Sequence, residues 1–163
     1  MLDPVRDTVL IEGARIIFRN FAGKEDAMNR EGNRNFCVLL DDEVAEAMAA
    51  DGWNIKQLKA REEGETPQSY IQISVGYKVR PPTVYMITTR GKTSIGEDLI
   101  EMLDYAEFGN VDLIFQPYNW DVNGKTGVKA YLKSLFVEVI EDALEQKYGE
   151  VPDIQSRSGS VDE

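Results

Sequence analysis

The run VDLIFQPYNWDVNGKTGVKAYLKSLFVEV, residues 111–139, decides the fold class of this chain. It contains two strand-like segments, Val111–Val122 and Gly127–Val139, joined by Asn123-Gly124-Lys125-Thr126. Asn-Gly between two runs of β-forming residues is the strongest short-range indication of a β-hairpin. The sequence therefore predicts a long hairpin near the end of a β-rich chain.

Shorter patterns precede and follow this hairpin. Alternating apolar residues predict the strands Thr8–Phe18 (with Gly13 as a bend), Asn35–Leu40, Ser69–Tyr77 and Thr83–Thr89. Short helices are predicted at Asp42–Ala50, Glu97–Tyr105 and Glu141–Tyr148, an amphipathic segment at Trp53–Ala60 and a turn at Arg90–Gly96. About five or six strands in meander order predict a mainly β fold, an OB-like antiparallel β-barrel, closed or half-closed, with flanking short helices. A β-sandwich is the alternative.

Length and composition predict one domain with a tail. Residues 1–150 form the predicted OB-like domain, and residues 151–163, rich in Ser, Gly and acids, a disordered acidic C-terminal tail. The single cysteine, Cys37, excludes an intrachain disulfide and fits a reducing cytoplasm. No apolar run approaches a membrane span, and residues 1–6 lack the apolar segment of a signal peptide. We therefore expect a cytoplasmic protein with no membrane partner.

The net charge of −11 argues at first against a nucleic-acid partner. However, the charge is segregated along the chain. Residues 138–163 carry eight acids and two bases, and residues 41–52 and 97–112 carry acids and no base. Between these acidic segments, residues 68–95 contain no acid and four bases: Lys78, Arg80, Arg90 and Lys92. A local basic surface is therefore compatible with the acidic total.

Catalytic residue sets are missing from the sequence. The chain has no histidine, which removes the usual general base and the commonest zinc ligand. Gly91-Lys92-Thr93 resembles the end of a phosphate-binding loop, but Met86 stands where that loop needs a glycine. Acid pairs such as Asp41/Asp42 could hold magnesium in a nuclease, yet acids at helix starts usually stabilise the helix dipole. We predict a non-catalytic protein with no cofactor and no metal.

Basic and aromatic residues alternate in the final hairpin. Lys129, Tyr131 and Lys133 fall on one predicted strand face, and Tyr118 and Trp120 share a face of the partner strand. Single-stranded nucleic acid is held by such cations and ring faces, although solvated lysines beside a tyrosine at a sheet edge are an equally simple explanation. Tyr77 and Trp53 are at least as well explained as core residues. The candidate nucleic-acid-binding residues are Arg15, Arg19, Lys56, Tyr70, Lys78, Arg80, Tyr85, Arg90, Lys92, Tyr118, Trp120, Lys125, Lys129, Tyr131 and Lys133.

Three stretches resemble phage-encoded single-stranded DNA-binding proteins: EGARIIFRNF at 12–21, NRNFCVLL at 33–40 and NWDVNGKTGVKAYLK at 119–133. The resemblance covers most of residues 7–148. It implies an OB-fold core, coating of single-stranded DNA (ssDNA) during replication or recombination in the cytoplasm of a bacterial host, and an acidic C-terminus that contacts polymerase or helicase. The tail residues for such contacts are Asp153, Asp162 and Glu163. The chain ends in Val161-Asp162-Glu163, whereas several such families end in a bulky aromatic or hydrophobic residue.

Two other function classes stay open. An acidic inhibitor or DNA mimic would present its carboxylates as one continuous surface and have no basic groove. A structural or adaptor module of a phage particle would suit a β-rich body equally well. The sequence is compatible with a monomer or a homodimer.

Overall fold

The computed structural model describes residues 7–59, 63–64 and 67–141. Within these residues the chain forms strands, one α-helix and one 3₁₀ helix. The strands are β1 (Val9–Ile11), β2 (Arg15–Asn20), β3 (Arg34–Leu40), β4 (Lys56–Leu58), β5 (Gln68–Val75), β6 (Thr83–Thr88), β7 (Gly91–Ser94), β8 (Phe108–Val122) and β9 (Lys125–Val139). The α-helix α1 spans Asp42–Ala50, and the 3₁₀ helix spans Ile100–Asp104.

The predicted hairpin is confirmed as β8 and β9. The two strands pair in antiparallel register down to Val122 opposite Lys125. Asn123 and Gly124 have φ angles of 52° and 80°, the positive values that a two-residue type I′ turn requires. A bulge interrupts the register, because Ile114 lies opposite Ser134 whereas Phe115 lies opposite Leu132. The turn therefore fixes which side chains of β8 and β9 share a face.

The hydrogen-bonded strand order is β1-β8-β9-β5-β3-β2. Its two ends, β1 and β2, are consecutive in the chain and meet at a bend around Gly13. At this bend the Gly13 N–H donates to Oδ1 of Asp112 (3.0 Å), and the Ala14 N–H donates to the Val111 carbonyl (2.7 Å). The sheet is thus strongly curved, and a single bend in the chain connects its two edge strands. This arrangement confirms the prediction of an OB-like, half-closed barrel.

Not all pairs are antiparallel, and in this respect the prediction was wrong. β9 runs parallel to β5 at Ile73 opposite Ala130, and parallel to β6 from Thr83 opposite Ser134 onwards. The connections from β5 and β6 to β9 are long, and only such long crossovers allow two strands to run in the same direction. Strand β9 therefore has β8 on one edge and, on the other, β5 followed by β6.

Three local predictions need correction. Gly91–Ser94, predicted as part of a turn, is β7, which pairs with β6. Part of the predicted amphipathic segment is β4, an edge strand on β5. The predicted acidic helix is a shorter 3₁₀ helix, in which the buried Ile100 and Leu103 are three residues apart, as the 3₁₀ repeat requires. β4 and β7 are short edge strands, and each is stabilised by its pairing with one neighbouring strand.

A single apolar core fills the interior of the curved sheet. Phe36 and Phe115 are fully buried there, and the Trp53 ring meets Phe115 edge-on at a centroid distance of 5.0 Å. Trp53 is therefore a core residue. Tyr77 is half-buried against the same core, and burial raises the pKa of its hydroxyl.

The 3₁₀ helix is tied to the end of β2 by a carboxylate. Oδ1 of Asp104 accepts from the Phe21 N–H (2.6 Å), and Oδ2 accepts from the Ala22 N–H (3.0 Å). Both contacts are partly shielded from water, so they hold the start of the β2–β3 loop against the core.

The last predicted elements fall outside the described residues. These are the helix Glu141–Tyr148 beyond its first residue, the domain boundary at 150/151 and the tail 151–163. Among the helices of the described part, none has the length and apolar composition needed to cross a lipid bilayer.

Candidate nucleic-acid interface

One face of the sheet points away from the core. Strands β3 and β5 alternate between buried and outward side chains, and their register places Leu39 opposite Tyr70 and Cys37 opposite Gln72. The next row continues from Ser74 to Tyr131 of β9. We call this surface the outer face, formed by Asn35, Cys37, Leu39, Tyr70, Gln72, Ser74, Gln116, Tyr118, Trp120, Lys129 and Tyr131. None of these side chains is acidic, although the chain carries a net charge of −11.

The hairpin end of the outer face holds an aromatic cluster. The Tyr118 and Tyr131 rings meet edge-on with their centroids 6.0 Å apart. Nζ of Lys129, which lies opposite Tyr118, is 5.3 Å from the Tyr131 ring centroid. Tyr118 is exposed over 58% of its surface and Trp120 over 36%. Exposed ring faces next to an ammonium group can stack on bases and neutralise a phosphate.

Two glycines make room for these rings. Gly127 lies directly opposite Trp120, and a Cβ built on Gly127 would be 2.6 Å from Cε2 of the indole. A Cβ on Gly76 would be 3.1 Å from Cε1 of Tyr131. Only glycine allows the backbone to approach the rings this closely. Both rings therefore lie close against the main chain of a glycine, a feature that the sequence pattern did not predict.

The connection between β5 and β6 brings two predicted cations to this end of the sheet. Ser74 pairs with Tyr131 and Thr83 with Ser134, so the intervening residues pass beside a short stretch of β9. Lys78 and Arg80 are exposed in this connection, and Lys133 is exposed at the β8–β9 bulge that it passes. The register thus places Lys133 and the exposed connection with Lys78 and Arg80 at the same end of the sheet as Tyr131.

A second set of predicted residues lies at the other end of the outer face. Arg15 pairs with Leu39, and Lys56 pairs with Tyr70, so all four lie in one row across the sheet. Nζ of Lys56 donates to Oε1 of Gln72 (3.1 Å). Arg15 forms an exposed ion pair with Asp41 (3.2 Å), and exposed pairs contribute only about 0–1 kcal/mol. Its guanidinium can therefore exchange this carboxylate for a phosphate.

A bulge in β2 changes the faces that the sequence alternation predicted. Regular alternation would place Ala14, Ile16 and Phe18 on one face and Arg15, Ile17 and Arg19 on the other, but the register shifts between Ile17 and Asn20, so this alternation ends at Ile17. Phe18 points outward instead of joining the core side, is exposed over 58% of its surface, and meets the Tyr70 ring edge-on at 5.8 Å.

The same bulge turns Arg19 away from the outer face. Its Nη1 donates to the carbonyls of Leu103 (3.0 Å) and Ala106, and its guanidinium lies 3.9 Å from the Phe108 ring centroid. Arg19 is half-buried in these contacts, which join β2 to the segment after the 3₁₀ helix. The structure therefore separates Arg19 from Arg15, although regular strand alternation would place both on one face.

A further aromatic pair lies on β6 and the second half of β9. The Tyr85 and Phe136 rings stack at 5.0 Å, and Nζ of Lys92 lies 4.5 Å from the Tyr85 centroid. Tyr85 and Lys92 were predicted as candidates, whereas Phe136 was not. The remaining two candidates lie elsewhere: Arg90 in the β6–β7 turn and Lys125 at the tip of the hairpin.

Cys37 is the single cysteine and lies in the outer face between the two ends. It is buried, and this burial raises the pKa of its thiol to about 11. The thiol is therefore protonated at neutral pH, which suppresses its nucleophilicity. Within residues 7–59, 63–64 and 67–141, no three His, Cys, Asp or Glu side chains form a group that could hold a metal ion.

A family model described as "Putative phage ssDNA-binding domain" matches residues 3–163. The chain belongs to this family. Among curated proteins, no sequence matches it.

Two solved structures of one bacteriophage protein share the fold of this chain. The chain is similar to the single-stranded DNA-binding protein from bacteriophage Enc34 in complex with ssDNA, with 10% sequence identity and a TM-score of 0.54 over 83% of this chain and 88% of that chain. For the same Enc34 protein in another structure, the identity is 11% and the TM-score 0.53 over 94% and 90% of the two chains. At such low sequence identity, this structural similarity shows a shared fold alone.

Proposed function

We propose that this phage ssDNA-binding domain protein binds single-stranded DNA on its outer face, without catalysis and without reading the base sequence. The observation that carries the proposal is the Tyr118, Trp120 and Tyr131 cluster with Lys129 on the outer face as defined above, none of whose side chains is acidic. Stacking on rings tolerates every base, because every base has an aromatic face. Coating of ssDNA during phage replication or recombination, in the cytoplasm of the host cell, follows as the biological role.

The distribution of charge supports this function over a DNA mimic. A mimic would present carboxylates as one continuous surface. In the described part of the chain, the acids of residues 41–52 lie on and around α1, and those of residues 97–112 lie mainly around the 3₁₀ helix. Lys78 and Arg80 lie instead in the β5–β6 connection, and Lys133 lies at the bulge of β9. This arrangement suits a phosphate backbone.

The test is a titration of labelled oligo-dT, with mixed-sequence ssDNA and duplex DNA in parallel, at several salt concentrations. We expect equal affinity for both single strands, weaker binding to duplex, and a decrease in affinity with salt. If Lys129, Lys133, Lys78 and Arg80 each neutralise one phosphate, the slope of log K against log salt is roughly −3. A lack of ssDNA binding at low salt, or a preference for duplex, would contradict the proposal.

We further propose that the acidic tail, residues 151–163, competes with ssDNA for the outer face and, when displaced, contacts replication proteins through Asp153, Asp162 and Glu163. The support is the sequence, in which residues 151–163 carry three acids and one base and the longer C-terminal stretch 138–163 carries eight acids and two bases. Opposite charges make such a competition electrostatically favourable at low salt.

Deleting residues 153–163 is expected to raise the affinity for oligo-dT at low salt and to leave it unchanged at high salt. A matched control keeps the length of the tail and replaces Asp153, Asp162 and Glu163 by Asn or Gln. It should raise the affinity as well, because charge and not length causes the competition. Equal affinities of the full and shortened chains at low salt would exclude this role of the tail.

A further inference from the structure

We propose that Phe18 and Tyr70 form a second base-stacking site on the outer face, separate from the Tyr118–Tyr131 cluster. This inference rests on the proposed ssDNA binding and adds to it a path for the strand. The strand would cross the sheet from the hairpin end over β5 to the bulge of β2.

The backbone and the exposure of Phe18 are both unusual for this residue type. Its φ angle is 51°, in the left-handed region that a bulky residue rarely occupies, and its side chain is exposed over 58% of its surface. An exposed aromatic ring on a strained backbone stabilises neither the core nor the strand. Backbone strain of this kind is found preferentially at binding and catalytic sites, where the local geometry orients a side chain for its ligand.

The neighbours of Phe18 complete a stacking site. Its ring meets Tyr70 edge-on at 5.8 Å with an interplanar angle of 76°, so Tyr70 supports the ring from one side. Lys56 lies opposite Tyr70 on β4, and Arg15 lies in the same row of the sheet. This end of the outer face therefore holds exposed ring surface and two cations, the same kinds of side chain as the hairpin cluster.

The two sites are separated by a defined distance along the sheet. Tyr70 lies four residues before Ser74 on β5, and Ser74 pairs with Tyr131. With a rise of about 3.3 Å per residue, Tyr70 and Tyr131 lie roughly 13 Å apart along the strand direction and one strand apart across it. A dinucleotide therefore reaches only one site, whereas a longer oligonucleotide reaches both.

The test compares the binding of a dT dinucleotide and of oligo-dT of about 16 nucleotides, the upper limit of OB-fold site sizes, to the wild-type chain and to Phe18→Gly. Glycine adopts a φ of +51° without strain, so the substitution removes the ring and relieves the backbone. We expect an unchanged or raised Tm, a five- to thirtyfold loss of affinity for the long oligonucleotide, and a change of at most about twofold for the short one. Phe18→Trp should restore the affinity for the long oligonucleotide.

The control is Tyr105→Ala, which removes another exposed aromatic residue, on the 3₁₀ segment away from the outer face, and should leave both affinities unchanged. Wild-type affinity of Phe18→Gly for the long oligonucleotide would overturn the second site alone. A lowered Tm with equal losses for both lengths would assign Phe18 a structural role and also overturn it. If the wild-type chain binds neither length, the proposed function fails, and the second site fails with it.

Discussion

Tyr131→Ala is expected to weaken oligo-dT binding by roughly 1–3 kcal/mol, the range for loss of one base-stacking ring. Tyr131 is central to the hairpin cluster, because its ring meets Tyr118, lies beside Lys129 and covers Gly76. Its removal takes away one stacking face and the lateral support of Tyr118. Fluorescence anisotropy with labelled oligo-dT measures the loss, and thermal unfolding of the same samples measures stability.

Tyr131→Phe is the matched control for this substitution. It keeps the ring and its contacts with Tyr118, and it should bind ssDNA with nearly wild-type affinity. If Tyr131→Ala lowers the stability while the folded fraction binds ssDNA normally, Tyr131 covers the sheet and takes no part in binding.

Asp104→Ala should lower the free energy of unfolding by about 2–4 kcal/mol, because it removes the acceptors of two partly buried backbone N–H groups. These groups belong to Phe21 and Ala22, and each donates to one oxygen of the Asp104 carboxylate. Asp104→Asn keeps one acceptor oxygen and should lose less. Urea denaturation followed by circular dichroism measures all three proteins.

Glu101→Ala is the control for this prediction. Glu101 is an exposed acid in the same 3₁₀ helix, so its loss should change the free energy of unfolding by no more than about 0.5 kcal/mol. Equal unfolding free energies for Asp104→Ala and the wild-type chain would show that the carboxylate does not anchor the loop.

The final hairpin could be predicted from sequence because its turn and its strands depend on local residues. Asn123-Gly124 determines a two-residue turn, and that turn sets Tyr118 opposite Lys129 and Trp120 opposite Gly127. The helix α1 was predicted correctly as Asp42–Ala50, with acids in its first turn. For these elements, residues close together in the sequence are sufficient to determine the structure.

The elements that were not predicted depend on pairing with residues far away in the sequence. The bulge in β2 adds a residue to the pairing with β3, and no local pattern shows it, so regular alternation assigns Phe18 and Arg19 to the wrong faces. Strand β7 exists only through its pairing with β6, and the parallel pairs of β9 follow from the crossover. The Phe136 ring stacks on Tyr85 because β6 pairs with β9, and this contact joins residues that are far apart in the sequence.

The candidate site shows the same division. Alternation predicted Lys129, Tyr131 and Lys133 on one face of their strand, and Tyr118 with Trp120 on one face of the partner strand. The register of the hairpin joins Tyr118, Trp120, Lys129 and Tyr131 on one face, and the rest of the sheet adds Tyr70 and Lys56. Phe18, Gly76 and Gly127 were missed, because their importance lies in backbone geometry and close approach. A search for glycines opposite aromatic residues in a predicted hairpin could have found Gly127.

Ultraviolet cross-linking to an oligo-dT that carries bromodeoxyuridine, followed by mass spectrometry of the peptides, tests the central claim most directly. The outer face predicts cross-links at Tyr118, Trp120 or Tyr131, and at Phe18 or Tyr70 with the longer oligonucleotide. Trp53 is buried and should not react. Cross-links confined to α1 or to Tyr105, with none in residues 116–131, would contradict the placement of ssDNA on this face.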